Sequence, residues 1–165
     1  MSGSELIAVG ELPMENSDKK KIYLDLCTLC RPFDDQDMMR IRLETDAYYL
    51  IVQAIQDETY EMMVSPVHFE EVNAIEELQE RYEILSFLQT YGVRAPCNPS
   101  KVRARTEYLY SIKFGLADAA HVAFAEGTSD FFVSCDERLL KKCERHHADV
   151  SAMNPVEFSI REGLR

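Results

Sequence analysis

Ile22-Tyr23-Leu24-Asp25 decides the fold: three apolar, strand-forming residues in a row, closed by an acid. An unbroken apolar run of this length fits a central strand that is buried on both faces, as in a parallel sheet. Reading outward, similar runs recur at Met62-Met63-Val64, Phe131-Phe132-Val133 and Val150 to Met153. Helical stretches separate them. Met38, Ile41, Tyr48 or Tyr49, Val52 and Ile55 recur at three to four residues, with Asp34 or Asp35 placed to cap them. Ser65-Pro66 is a preferred N-cap and first helical residue, and Ser100 opens a further stretch running to Phe114 and closed by Gly115. Another helix is read from Arg81 to Gln89, an alanine-rich one from Leu116 to Glu126 stopped by Gly127, and a basic one from Glu137 to Arg145. Strands alternating with helices predict an α/β fold: a three-layer α/β/α domain around a mostly parallel central sheet.

Bulk properties bound the rest. At 165 residues the chain makes one domain, read as residues 21–165, after a mobile or weakly docked tail over residues 1–20. No run of about 18 uncharged apolar residues is present to span a bilayer. Nor is there a basic segment followed by an apolar run at the N-terminus, so the expected setting is the cytoplasm, away from membranes. Five cysteines, Cys27, Cys30, Cys97, Cys135 and Cys143, then read as reduced thiols. The formal charge of -11 excludes a protein that holds nucleic acid by a broad basic face. A carboxylate metal site is compatible with that charge, because each divalent ion returns two positive charges where a phosphate must sit.

Four acids fall where such a site would form, beyond the carboxyl ends of the strands. Asp25 ends the first strand, Glu71 lies in the helix leaving the second, and Asp136 follows the third by two residues. Asp118 opens the alanine-rich helix, whose small neighbours Ala117, Ala119 and Ala120 allow close approach to the sheet. A single acid among the 29 in this chain would be a helix cap or a solvated surface group. Four at one predicted locus repel one another and call for a compensating cation. Oxygen ligands select Mg²⁺ or Mn²⁺.

The text that carries these acids resembles the PIN-domain ribonucleases, including the toxin members of type II toxin–antitoxin pairs. The resemblance runs from about Lys21 to Phe158 and rests on four stretches. These are Ile22 to Asp25; Ser65-Pro66-Val67-His68-Phe69-Glu70-Glu71-Val72; Gly115-Leu116-Ala117-Asp118-Ala119-Ala120-His121; and Phe132-Val133-Ser134-Cys135-Asp136. It implies that Asp25, Glu71, Asp118 and Asp136 are the catalytic metal ligands, directly or through water. Glu71 is preferred to Glu70 by its spacing from Ser65 and by the apolar Val72 after it. Ser134 stands where the family often has a hydroxyl that orients ligands or substrate. Cys27 departs from the pattern, since many members carry Asn or Ser there; the weakly donating thiol either reduces activity or leaves the role to Thr28.

The activity implied is Mg²⁺- or Mn²⁺-dependent endonucleolytic hydrolysis of RNA, leaving 5′-phosphate and 3′-hydroxyl ends. The partners implied are the RNA substrate, an antitoxin protein that covers the site, and a second copy in a homodimer. His121, one turn after Asp118, faces substrate or packs against a neighbouring helix. Arg31, Arg40 and Arg42 near the first strand, with Arg138 after Asp136, are placed to hold RNA phosphates. His68, His146 and His147 show no metal-ligand spacing.

Two rival readings differ in class. A catalytically weak or inactive PIN-like module would keep the acids and work by binding a protein partner. A redox enzyme would use Cys27-Thr28-Leu29-Cys30, a C-x-x-C after a strand, although nothing in the sequence places that pair at a helix N-terminus where thiol pKa falls.

Overall fold

The structure is a computed structural model that describes residues 19–165. The expected tail therefore lies, through residue 18, outside the described residues. Five strands form one parallel sheet: β1 (Lys20–Leu24), β2 (Tyr60–Met63), β3 (Gly92–Val93), β4 (Phe131–Val133) and β5 (Ser151–Met153). Their order is β3-β2-β1-β4-β5. From β1 the chain steps outward to β2 and β3, then returns across the sheet to place β4 on the other side of β1. The direction of winding thus reverses between β1 and β4, and a crevice opens there beyond the strand ends.

Helices cover both faces, in the three-layer α/β/α arrangement expected from sequence. Alternate residues of the strands feed two cores, following the period of the pleat. Ile22, Leu24, Met62, Phe131, Val133 and Met153 pack with α2 (Met39–Gln56), α4 (Leu78–Tyr91) and α8 (Pro155–Arg161) through Tyr48, Ile51, Leu88 and Phe158. Tyr23, Met63 and Phe132 face α5 (Pro99–Ser111), α6 (Leu116–Thr128) and α7 (Glu137–Arg145) through Leu109, Val122, Ala123 and Leu139. Ile22, Tyr23 and Leu24 are all fully buried, as the opening run required.

Several boundaries differ from the sequence reading. Asp25 is not followed by a plain turn: it caps a short helix, α1 (Leu26–Cys30), which continues into a 3-10 turn at Arg31–Phe33. α2 starts after Met38 without a side-chain cap, because Asp34 pairs with Arg31 and Asp35 accepts the Asp37 N–H. The cap of α5 is Asn98, not Ser100, and Gly115 begins α6 instead of closing α5. α3 (Pro66–Asn73) begins at Ser65 as expected. β3 and α8 had no counterpart in the sequence reading.

Candidate active site at the switch point of the sheet

Strand register brings the first site residues together. Leu24 pairs with Val133, and the Asp25 N–H donates to the Val133 carbonyl at 3.2 Å, so Asp25 lies beside the chain leading to Ser134 and Asp136. Asp25 is 4% exposed. Its Oδ1 accepts the Thr28 N–H at 3.1 Å and lies 2.8 Å from the Thr28 hydroxyl and 3.0 Å from Cys27 Sγ. All three contacts fall on one oxygen, so the other is not committed to capping α1. Burial pushes the Asp25 carboxyl above its ordinary value, against the opposing effect of hydrogen bonds from Ser134, Cys27 and Thr28.

Ser134 is fully buried between two of the acids. Its hydroxyl accepts the Asp136 N–H at 3.0 Å and lies 3.5 Å from Cys27 Sγ. Asp136 in turn caps α7, with Oδ1 accepting the N–H groups of Arg138 at 2.9 Å and Leu139 at 3.2 Å. Asp118 sits half-buried in the first turn of α6, folded back over Gly115: a Cβ there would stand 3.4 Å from Asp118 Oδ2. Its carboxyl is raised by burial, then by the charges of Asp136 and Asp25, and more weakly by Glu71. Asp118 therefore feels all three other acids.

Glu71 is held differently. Glu70 is exposed, whereas Glu71 turns inward from α3 and meets His121 of α6 through Oε1 and Nε2. His121 is 2% exposed and braces Glu71. Its Nδ1 lies 2.6 Å from the Tyr23 hydroxyl, which lies 2.7 Å from Ser65 Oγ. A carboxylate only accepts, so His121 Nε2–H donates to Glu71, and the other ring nitrogen, Nδ1, bonds with the Tyr23 hydroxyl. The line Ser65–Tyr23–His121–Glu71 ties the cap of α3, β1, α6 and the body of α3 together beneath the site. Beside it, Ser65 N–H donates to His68 Nδ1 at 3.0 Å, which leaves His68 Nε2–H to donate to the Leu24 carbonyl at 2.7 Å.

From sequence, Tyr23 is read only as a strand residue, and the Ser65 hydroxyl has no role beyond capping α3 and spacing Glu71. The signal was available: a tyrosine inside an otherwise apolar central strand needs a partner for its hydroxyl. His68, three residues after an N-cap serine, occupies the position from which a side chain reaches back to the cap N–H.

The cations divide into two groups. Arg31 donates from Nε and Nη2 to Glu44 Oε2, both at 3.2 Å, and from Nη1 to Asp34 at 3.0 Å. Arg40 reaches Glu44 at 2.6 Å and Glu137 at 3.0 Å. Both arginines are thus paired with protein carboxylates. Arg138 is exposed and, with Arg40 and Asp136, borders an open cleft of about 490 Å³. Arg42 is exposed on α2.

The C-x-x-C pair lies within α1 after all, yet its thiols are the opposite of activated. Cys27 is pushed up by the Cys135 thiol, by burial and by Asp25, and Cys30 is raised to about 12 by burial and by Glu80. Low thiolate content removes the basis for a dithiol redox centre.

Among the described residues no group of three or more His, Cys, Asp or Glu side chains is arranged to hold a metal ion. The four acids are all oxygen donors, the type that Mg²⁺ and Mn²⁺ take. No helix among the described residues is long and apolar enough to cross a membrane.

No protein-family model matches the chain. No curated protein matches it either. Among solved structures the chain is similar to FitAcB from Neisseria gonorrhoeae, with 17% identity and a TM-score of 0.47 over 81% of this chain and 97% of that one. A likeness of that size carries no functional weight, and the three-layer parallel α/β fold stands on the strand order and the two buried cores.

Proposed function

We propose that this chain is a metal-dependent endoribonuclease of the PIN-domain kind, hydrolysing phosphodiester bonds in RNA with Asp25, Glu71, Asp118 and Asp136 as its acidic set. The observation that carries the reading is the raised carboxyl of Asp118, which senses Asp136, Asp25 and Glu71 from separate elements at the switch point. Like charges gathered in a half-buried crevice destabilise a fold unless a cation offsets them. Asp25, Asp118 and Asp136, with Glu71 directly or through water, would hold Mg²⁺ or Mn²⁺, which when bound lowers the pKa of a coordinated water and offsets phosphate charge. Ser134 keeps Asp25 and Asp136 in register, and His121 keeps Glu71 turned inward. Hydrolysis in this scheme leaves a 5′-phosphate and a 3′-hydroxyl. An antitoxin that covers the crevice, a homodimer and a cytoplasmic setting belong to the same reading and rest on the sequence resemblance.

A second reading has its own support. Cys27 lies 3.0 Å from Asp25 Oδ1, where its thiol is a weak donor, and no closed ligand group is present among the described residues. Both features suit a weak or inactive module that binds a protein partner. RNA cleavage by wild type and Asp118→Asn, with and without Mn²⁺ or Mg²⁺, separates the two. The ribonuclease reading expects metal-dependent cleavage that leaves 5′-phosphate ends and falls roughly a hundredfold or more in the variant. Equal cleavage by both proteins, or none by either, overturns it.

A further inference from the structure

The protein carries a net charge of -11, yet it gathers cations on one side of the crevice. α7 begins at its cap Asp136 and bears Arg138, Lys141, Lys142 and Arg145. At about 100° per residue, these four fall within roughly 100° of arc. Glu137 and Glu144 occupy the adjoining sector, while Leu139 and Cys143 face the core. Arg138 borders the cleft shared with Arg40 and Asp136, and Lys142, one turn on, reaches the connection between α5 and α6.

That connection supplies an independent observation. Lys113 has φ 79, a left-handed conformation uncommon in residues with a side chain. The Lys142 ammonium donates to the Lys113 carbonyl at 2.6 Å and lies 5.7 Å from the Phe114 ring centroid. The Lys142 ammonium is thereby fixed against the backbone two residues before Gly115, over which Asp118 is folded. Among the described residues none of Lys113, Arg138, Lys141, Lys142 and Arg145 forms an ion pair, in contrast to Arg31 and Arg40. Cations left without ion pairs along one helix face favour a polyanion. Tyr110, 58% exposed, stands on the same rim, and its carbonyl accepts the Lys113 N–H at 3.1 Å. Phosphate-binding cations beside an exposed aromatic ring suit a single strand with unstacked bases.

We propose that Lys113, Arg138, Lys142 and Arg145 form a path that binds the backbone of single-stranded RNA on the α6–α7 side of the crevice, with Tyr110 stacking a base. The path rests on the ribonuclease reading and gives it a substrate form and an entry direction. Arg138, nearest to Asp136, holds the phosphates closest to the acids, and Arg145 those furthest away.

The test uses the full chain and a fluorescent single-stranded oligoribonucleotide. Binding is measured across a salt series in Asp118→Asn, which suppresses cleavage, with and without Arg138→Gln, Lys142→Gln and Arg145→Gln together. Losing three contacts should weaken binding about tenfold or more and reduce the slope of log affinity against log salt by about 2, at roughly 0.7 per single-strand phosphate. In the otherwise wild-type chain the same triple change should raise KM and leave kcat, whereas Lys101→Gln, at the far end of α5, should change neither. Unchanged affinity and KM in a triple variant that still cleaves RNA overturn the path and leave the ribonuclease standing. A wild type that neither binds nor cleaves RNA overturns the ribonuclease reading and the path with it. Polyglutamate displacing RNA from the wild type at lower charge concentration than RNA itself assigns the stripe to an acidic protein partner and also overturns the path.

Discussion

His68 spends both ring nitrogens on the backbone, accepting from Ser65 N–H and donating to the Leu24 carbonyl. Burial lowers its pKa to about 3, with the neighbouring His121 adding to the effect. The sign of the linkage follows. Below about 6.5 the unfolded chain takes up a proton that the folded chain refuses until about pH 3. Stability from this group is complete above the unfolded value and is lost as pH falls through that window, at about 1.4 kcal/mol per pH unit at most. Nitrogen shifts of His68 measured by NMR should report a neutral Nε2–H ring down to about pH 4. A His68 that titrates near 6.5 would contradict the assigned bonds. Legibility at this scale was uneven. The four acids could be picked out because strand ends and helix starts give them places in a sheet. Thr28 beside Asp25 could be picked out too, but the partner of Glu71 could not, since His121 and the Tyr23 behind it come from distant parts of the chain and meet only through the docking of α6 on the sheet. Arg31 shows the same limit: its proximity to Glu44, thirteen residues on, depends on how the 3-10 turn folds back on α2.

At the scale of elements, β3 is two residues long, too short for any periodicity, and the sequence offered no strand there. Its place is set by Gly92. A Cβ at that position would collide with the Leu88 carbonyl oxygen and stand 2.6 Å from Val64 Cγ1. Only glycine lets the end of α4 press so closely on β2. Gly92→Ala should therefore cost roughly 1–3 kcal/mol by overpacking against backbone, read from the urea midpoint at constant m-value. An unchanged midpoint would show that the contact relaxes freely. The longer elements were legible for opposite reasons. α3 announces itself by Ser65-Pro66, and α6 by its alanines, which let Asp118 come close to the sheet. α1 was missed because five residues carry no measurable period and its cap, Asp25, had been read as a strand end. Asp25 is both, and this double duty fixes one carboxylate oxygen while the strand aims the group into the crevice.

For the whole molecule, strand order decides where chemistry can occur. The reversal between β1 and β4 brings Asp25 and Asp136 to one crevice, and the helices α3 and α6 deliver Glu71 and Asp118 to its rim. With Asp118 raised by burial and by its acidic neighbours, the metal-free Asp118→Asn protein should melt at a higher temperature than metal-free wild type. Added Mn²⁺ should raise the melting temperature of wild type and do so far less in the variant, because an ion stabilises only the state that binds it. Equal responses to Mn²⁺ would place its binding elsewhere. The direct measurement is anomalous diffraction from crystals of the wild-type protein grown with Mn²⁺. The account expects an anomalous peak bounded by Asp25, Asp118 and Asp136, with Glu71 in its first or second coordination sphere. No peak at that crevice with Mn²⁺ in saturating excess, and the four side chains keeping only their protein hydrogen bonds, would contradict it.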